Sequence, residues 1–291
     1  MKRIDLHIHS KASDGDLLPR EIIDLAVKNG LSAIAITDHD TINGLQEAID
    51  YAKNKIEFVP GIEISCREKD FDEVHVIGLF IDYNHKEIKK FIERIKNGRI
   101  EQKKKIIKKL NELGFAISFE EIEEFNASSV GRAHIARVIF RKYPNEFSSI
   151  GDVFDKYIGV GKPAYVPRED KIRVSEAIRI IKKSRGISFL CHPGMYEKED
   201  ALELIELFIK SGGQGIETVY PYSKIFAQKY NKKMEKEIIN FFQKIAYEKN
   251  LLESGGSDFH GKIRNTKIGE PDISYELLEK IKNLNSLNNA K

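Results

Sequence analysis

Apolar residues recur along the chain in runs of strand length, some alternating with polar positions and some continuous: 3–9, 33–37, 57–65, 73–81, 186–191, 215–220 and 251–257. Between most of these seven candidate strands lie segments with helical periodicity. One covers 19–29, where Pro19 suits a first helical turn, and another covers 43–53, where Asn43 suits an N-cap. Strand, helix and strand repeated in this order predict parallel pairing through right-handed crossovers. An open doubly wound sheet and a closed barrel both satisfy that pattern.

The alternation breaks between 82 and 173, where no strand with barrel-like spacing occurs and helical segments and loops fill the interval. This predicts a helical subdomain at 85–172, inserted between a first α/β part at 1–84 and a second at 173–291. The subdomain opens with a long helix, 85–113, closed by Gly114. His85 at its start reads as a structural residue. From Lys86 to Lys109 the helix carries eleven basic residues against Glu87, Glu93 and Glu101. Such a run reads first as a solvated face, with a guide for a polyanion as the alternative.

Composition narrows the class without naming a function. With 291 residues, 41% hydrophobic and 32% charged, the chain has material for a sizeable core and is neither disordered nor fibrous. No apolar stretch reaches the roughly 18 residues of a membrane span. The opening lacks the apolar centre of a signal peptide, so a cytoplasmic protein without membrane association is expected. Cys66 and Cys191, the only two cysteines, lie in apolar runs and are expected to be buried, reduced and passive. A net charge of +3 is too weak to argue for nucleic acid by itself, and no obligate protein partner is evident.

The histidines change the picture. Six of the eight sit at or just after a candidate strand end, or within the fourth strand, beside acidic residues. His7 and His9 are two residues apart on a strand and so point to one side, where two imidazoles repel once protonated and a metal resolves the conflict. His39 stands in Thr37-Asp38-His39-Asp40. Glu63, between Ile62 and Ile64, is costly to bury unless paired or metal-bound. His75 lies inside the fourth strand, and His192 falls where Pro193 and Gly194 end the fifth. Asp258 and His260 repeat the two-residue step among glycines. Asp14, in the loop after the first strand, reads equally well as a turn or cap residue.

Nine candidate ligands, six imidazoles and three carboxylates, are too many for one four- to six-coordinate ion, so two or three ions sharing bridging carboxylates are expected. The mixed donor set favours manganese, zinc or iron over magnesium. Three divalent ions bring about +6 against three carboxylates, leaving a positive pocket whose natural ligand is a phosphate. Two-metal sites act on such groups by clamping the attacking and leaving oxygens, which points to phosphoester hydrolysis.

Together, His7-x-His9 with Ser13-Asp14-Gly15, Thr37-Asp38-His39-Asp40, Gly61-x-Glu63, His75, Cys191-His192-Pro193-Gly194 and Ser257-Asp258-x-His260 resemble the polymerase and histidinol phosphatase (PHP) family, over residues 5–260. The resemblance implies an α/β fold, a distorted seven-stranded (β/α) TIM-like barrel carrying the helical insertion, with a trinuclear centre usually assigned manganese. It also implies a partition of ligands: His7, His9, Glu63 and Asp258 for one ion, Glu63, His75 and His192 for a second, Asp14, His39 and His260 for a third. Glu63 would bridge the first two. The nucleophile would be a metal-bound hydroxide, with no protein nucleophile.

A narrower similarity runs from Val130-Gly131-Arg132-Ala133-His134 to Lys162-Pro163-Ala164-Tyr165-Val166. It is to the branch containing TrpH-like nucleoside 3',5'-bisphosphate phosphatases and the 5'-3' exoribonuclease RNase AM, where proline often stands in place of Ala133. Arg132 offers a planar fork for a second phosphate, with His134 beside it, and plain helix-surface polarity is the alternative. The expected activity is removal of the 3'-phosphate from nucleoside 3',5'-bisphosphates, or trimming of short 5'-phosphorylated RNA or DNA from the 5' end. The rivals are a phosphatase for a small phosphomonoester such as histidinol phosphate, a proofreading 3'-5' exonuclease module, and a non-catalytic metal- or nucleic-acid-binding module. The insertion argues against the first, the lack of any polymerase-like sequence against the second, and nine intact ligands against the third.

Overall fold

The computed structural model describes residues 2–68, 71–123, 132–169 and 171–289. Val130 and Gly131 of the narrower motif lie outside the described residues. Within these limits there are eight strands: β1 (Arg3–Asp5), β2 (Ala33–Ile36), β3 (Glu57–Glu68), β4 (Phe71–Leu79), β5 (Ile187–Leu190), β6 (Gly215–Val219), β7 (Leu252–Gly255) and β8 (Ile273–Ser274). They form one sheet in the order β7-β6-β5-β4-β3-β2-β1-β8. All four residues of β2 and all four of β5 are buried, as strands covered on both faces require.

Past Asp5 and Gly255 the segments that continue β1 and β7 pair with each other. Leu6 N–H donates to the Gly255 carbonyl at 3.1 Å and His9 N–H to that of Phe259 at 2.9 Å, with a parallel bridge between Ile8 and Phe259. The sheet therefore curls into a distorted, nearly closed barrel. Gly256 lets the two segments meet, because a Cβ there would stand 2.4 Å from the His7 amide nitrogen.

Two expectations about the strands need correction. Pairing is not parallel throughout: β3 and β4 are antiparallel from Gly61 opposite Leu79 to Glu68 opposite Phe71, and β4 is antiparallel to β5. Only residues 69–70 separate β3 from β4, far too few for a crossover helix. The strand count is eight rather than seven, because the two-residue β8 adds antiparallel to Arg3 and Ile4 of β1. Such a short piece leaves no periodic trace.

Helix Pro19–Lys28 begins at Pro19 as expected, and Glu21 turns back to accept from Leu18 N–H at 2.7 Å. Helix Leu45–Ala52 has Gly44 rather than Asn43 at its N-cap and no side-chain cap; Asn43 lies in the turn before it, its N–H donating to Thr41 Oγ1 at 3.3 Å. The basic helix spans Lys86–Glu112, and Gly114 ends it with φ of +97°. His85 Nδ1 accepts from Glu87 N–H in its first turn, at 3.3 Å.

The chain divides into two compact units, Met1–Lys90 with Ile172–Lys291, and Phe91–Lys171. In the first, one core cluster gathers Ile4, Ala33, Ala35, Val59 and Phe189 with Leu278 and Ile281 of helix Tyr275–Asn289. In the second, Ile106, Leu110, Ile122, Ile135, Ile139 and Val153 form a separate core. Cys66 and Cys191 are buried, and neither is in a disulfide. No helix among the described residues is long and apolar enough to cross a membrane.

Candidate metal centre

Strand ends and the loops after them bring all nine predicted side chains into one region of the barrel unit. Glu63, on β3 and 1% exposed, is the centre of the cluster. Its Oε2 lies 3.3, 3.1 and 3.0 Å from His7 Nε2, His9 Nε2 and His39 Nδ1. Its Oε1 lies 2.9 and 3.4 Å from His75 Nδ1 and His192 Nε2. The two oxygens thus face different sets of imidazoles, an arrangement suited to a bridging ligand. Asp258 Oδ1 is 3.5 and 3.3 Å from His7 and His9 Nε2. Asp14 Oδ1 is 3.3 Å from His260 Nε2, and Asp14 Oδ2 is 3.9 Å from His39 Nε2. At 54% exposure Asp14 is the most exposed of the nine, as its place in a loop dictates.

These spacings suit ions better than direct hydrogen bonds. Two donors each about 2.1 Å from one ion and at right angles stand roughly 3 Å apart. Both Glu63 oxygens, Nδ1 of His9, His39, His75 and His192, and Nε2 of His260 are buried with no hydrogen-bond partner. His7 Nε2 and His9 Nε2 are 3.1 Å apart. Polar atoms packed this densely without hydrogen bonds are costly unless a cation is held among them. Four sets of donors lie close enough to share an ion: His9, Asp14, His39 and His260; His7, His9 and Glu63; His39, Glu63 and His75; and Glu63, Cys191 and His192.

Charge follows the same geometry. Burial opposes ionisation of Glu63, Asp258 and Asp14, yet facing imidazoles, joined at Asp258 by Arg264, hold all three well below the usual carboxylate range. Burial also opposes the charge on His9 and His75, but Asp258, Glu63 and Asp14 raise His9 to about 9, and Glu63 and Glu73 raise His75 to about 10. Burial depresses His39 to about 3 and lowers His260 as well. Burial and the nearby Glu63 and Glu217 push the Cys191 thiol well above its ordinary value, which leaves it inert at neutral pH.

Several residues outside the nine support them. Glu217 on β6, 1% exposed, accepts from His7 Nδ1 at 2.9 Å and from the His192 backbone N–H at 2.8 Å. That bond places the His7 proton on Nδ1 and leaves Nε2 free as a donor atom. Tyr220 donates to Asp258 Oδ2 at 2.6 Å, and Arg264 pairs with the same oxygen. Asp5 accepts from the N–H groups of Ser257 and Gly269, both at 2.9 Å, and burial raises it to about 6. Asp38 accepts from Ser10 N–H at 2.7 Å and from Ser13 Oγ at 2.6 Å, fixing the loop that carries Asp14. Asp258 and His192 have positive φ values, 47° and 29°, strain of a kind that gathers at functional sites.

Beside the cluster lies a cavity of about 440 Å³, lined by His39, Glu63, His75, His192 and Asp258 and, beyond them, Met195, Tyr220, Lys224, Ile225, Phe226, Arg264 and Asn265. Arg132 and His134 belong to the other unit, on helix Arg132–Lys142, and both are half-buried. The Arg132 guanidinium reaches the Ile158 carbonyl at 3.4 Å and lies 5.5 Å from the centre of the Tyr165 ring.

The fold and this centre define a PHP protein: the PHP domain profile matches residues 5–165, and the chain belongs to that family. A 3',5'-nucleoside bisphosphate phosphatase of Chromobacterium violaceum is 32% identical over 265 residues, 89% of this chain and 88% of that one. A 5'-3' exoribonuclease of Haemophilus influenzae is 32% identical over 262 residues, 89% of this chain and 90% of that one. Among solved structures, a Chromobacterium violaceum protein described as an amidohydrolase with bound sulfate and no metal matches with a TM-score of 0.77 at 30% identity, over 96% of each chain. One from Bifidobacterium adolescentis matches with a TM-score of 0.79 at 24% identity, over 96% of this chain and 95% of that one, a likeness of fold.

Proposed function

We propose that this PHP-family phosphoesterase removes the 3'-phosphate of nucleoside 3',5'-bisphosphates and trims short 5'-phosphorylated RNA or DNA from the 5' end. The observation that carries this reading is the row of unpaired buried donors around Glu63, opening on a cavity that also holds Lys224 and Arg264. We assign two to three divalent ions to the nine side chains, manganese first, with zinc or iron as alternatives. When bound, such ions supply Lewis acidity that lowers the pKa of a water and neutralises phosphoryl oxygens.

The side chains do the rest. Glu63 keeps its two oxygens directed to separate sets of imidazoles, Glu217 holds His7 in the tautomer with Nε2 free, and Tyr220 and Arg264 orient Asp258. Among the described residues that line the cavity there is no serine, threonine or cysteine. Tyr220, the one hydroxyl there, is engaged with Asp258, and burial and that carboxylate push its phenol well above its ordinary value. The nucleophile in this reading is therefore water, not a side chain. Arg132 and His134 are assigned to a phosphate of the substrate other than the scissile one.

An amino-alcohol phosphate fits less well, since its ammonium would meet Lys224 and Arg264 at the cavity wall. The test is a comparison of kcat/KM on adenosine 3',5'-bisphosphate, a 5'-phosphorylated oligoribonucleotide and histidinol phosphate, using manganese-loaded protein. The first two should exceed the third by at least tenfold. A preference for histidinol phosphate would sink the assignment.

A further inference from the structure

The cavity beside the metal ligands has a lining of two kinds, and the metal centre accounts for only one. Its remaining wall carries cationic Lys224 and Arg264, the amide of Asn265, and the apolar side chains of Met195, Ile225 and Phe226. At about 440 Å³ it falls within the range of pockets that enclose a whole small molecule rather than one phosphate. Inorganic phosphate has no use for the apolar part, and a bare sugar phosphate has little.

Phe226 is built as a rigid platform. Its N–H donates to the Tyr222 carbonyl at 2.8 Å, and its own carbonyl accepts from Lys229 and Tyr230 N–H at 2.8 and 2.9 Å. With Ile225 it packs on the buried tyrosines Tyr220, Tyr222 and Tyr230. A ring fixed in this way loses little entropy when a flat ligand settles on it. Lys224, two residues earlier, is paired with Glu270 and 31% exposed, so its ammonium is already held at the cavity.

We propose that Phe226 and Lys224 form the leaving-group subsite of this cavity: the Phe226 ring stacks on the base of the departing nucleoside, and Lys224 takes that nucleoside's 5'-phosphate. The assignment rests on the nucleotide reading above and names the residues that would enforce it. A ligand with a scissile phosphate, a flat aromatic group and a second anion matches the three parts of the lining. The subsite lies wholly in the unit that carries the metal ligands.

Three substrates separate the parts: adenosine 3',5'-bisphosphate, adenosine 3'-monophosphate, which lacks the second phosphate, and abasic 1-deoxyribose 3,5-bisphosphate, which lacks the base. Phe226→Ala should lower the preference for the adenosine bisphosphate over the abasic compound by roughly 5- to 150-fold, mostly through KM. Phe226→Leu, which keeps apolar packing on the tyrosines but has no flat ring, should lose the same preference. Lys224→Gln should lower the preference for bisphosphate over 3'-monophosphate by about tenfold. Glu270→Gln, which releases the ammonium, should raise it. Melting temperature and metal content are measured for each variant, so that a folding defect is seen as such. If the wild-type protein is active on the bisphosphate and both ratios survive in the variants, the subsite is overturned and the nucleotide reading stands. Should the wild type turn over neither bisphosphate nor RNA, both fall together.

Discussion

In the barrel unit a carboxylate that is 1% exposed stands among five imidazoles, and its oxygens make no hydrogen bond. In the 91–171 unit the charges behave differently: Lys105 pairs with Glu169 at 3.0 Å, Lys142 with Glu121 at 2.8 Å, and Lys104 with Glu101 at 3.1 Å, all partly open to solvent. Below them Ile106, Leu110, Ile135 and Ile139 form an ordinary apolar core. Pairs of the second kind contribute about 0 to 1 kcal/mol and need no ligand to explain them. A buried carboxylate whose oxygens make no hydrogen bond does need one. The contrast assigns the chemistry to the barrel unit, and it reads much of the basic helix as a solvated face tied to its own neighbours, as when Lys109 donates to the Tyr165 carbonyl at 2.8 Å.

The sharpest way to break the contrast is Glu63→Gln. A neutral amide cannot serve two cations as a carboxylate does, so metal content and turnover should fall together. Loss of residues that merely support a ligand costs about 10- to 100-fold, and loss of the shared ligand should exceed that. Elemental analysis beside kcat decides it: full metal with full rate in this variant would remove Glu63 as a shared ligand, and full activity of the wild type in excess chelator would remove the metal hypothesis. The protonation of the cluster offers an independent check. His9 and His75, held at about 9 and about 10, carry protons at pH 7 and must release them to ligate. Metal titration of chelator-treated protein at pH 7 should therefore release protons, seen as a buffer-dependent heat. Affinity should climb with pH until about 9 to 10, and a heat independent of the buffer would contradict the protonation described.

Glu217→Ala comes next. It removes the acceptor of His7 Nδ1 and of the His192 N–H, and should weaken metal affinity and rate by roughly 10- to 100-fold without removing any ligand. Glu217→Gln keeps an acceptor and should lose less. Equal losses in the two variants would mean that the charge, not the tautomer, is what matters. Asp14→Asn is expected to be milder still. It should weaken one ion, the one near His39 and His260, while the remainder stay bound. Unchanged metal content would return Asp14 to the role of a loop residue.

How far the chain could be read depends on whether a residue advertises its neighbours. His7 and His9 do so through a two-residue step on a strand-like run, and Asp258 and His260 through the same spacing in sequence, although the backbone at Asp258 is not extended. Glu63 does so by being an acid between two isoleucines. Glu217 is likewise an acid within a strand, in Gly215-Ile216-Glu217-Thr218-Val219, but no histidine lies beside it in sequence, and its partners come from the segment just past β1 and from the turn after β5. Asp5 acts through backbone N–H groups, which every residue has, and Asp38 through the Ser10 N–H and the Ser10 and Ser13 hydroxyls, so standing near the histidines in sequence does not show what either one holds. The antiparallel β3–β4 pair was hidden because Arg67, Glu68, Asp72 and Glu73 make the strand ends look like a loop. Geometry across the barrel, rather than along the chain, supplies what is missing in each case.

The smallest expected effect lies in the second unit and tests whether it takes part in binding at all. Arg132 already directs one guanidinium nitrogen to the Ile158 carbonyl, and its guanidinium lies near the Tyr165 ring. A fully free fork on a phosphate contributes about 1.5 to 3 kcal/mol, or roughly 10- to 150-fold. A fork partly committed to its own unit should sit at the lower end or below. If Lys224 takes the 5'-phosphate of the departing nucleoside, the phosphate left for Arg132 is one that only a longer substrate possesses. Arg132→Ala should then lower kcat/KM on a 5'-phosphorylated oligoribonucleotide by about tenfold or less, with a smaller change on adenosine 3',5'-bisphosphate. A generic aryl phosphate, which has no second phosphate to lose, should respond least. Equal losses on all three substrates, together with a lowered melting temperature, would make Arg132 a residue that holds Ile158 in place. The 91–171 unit would then have no demonstrated part in choosing the substrate.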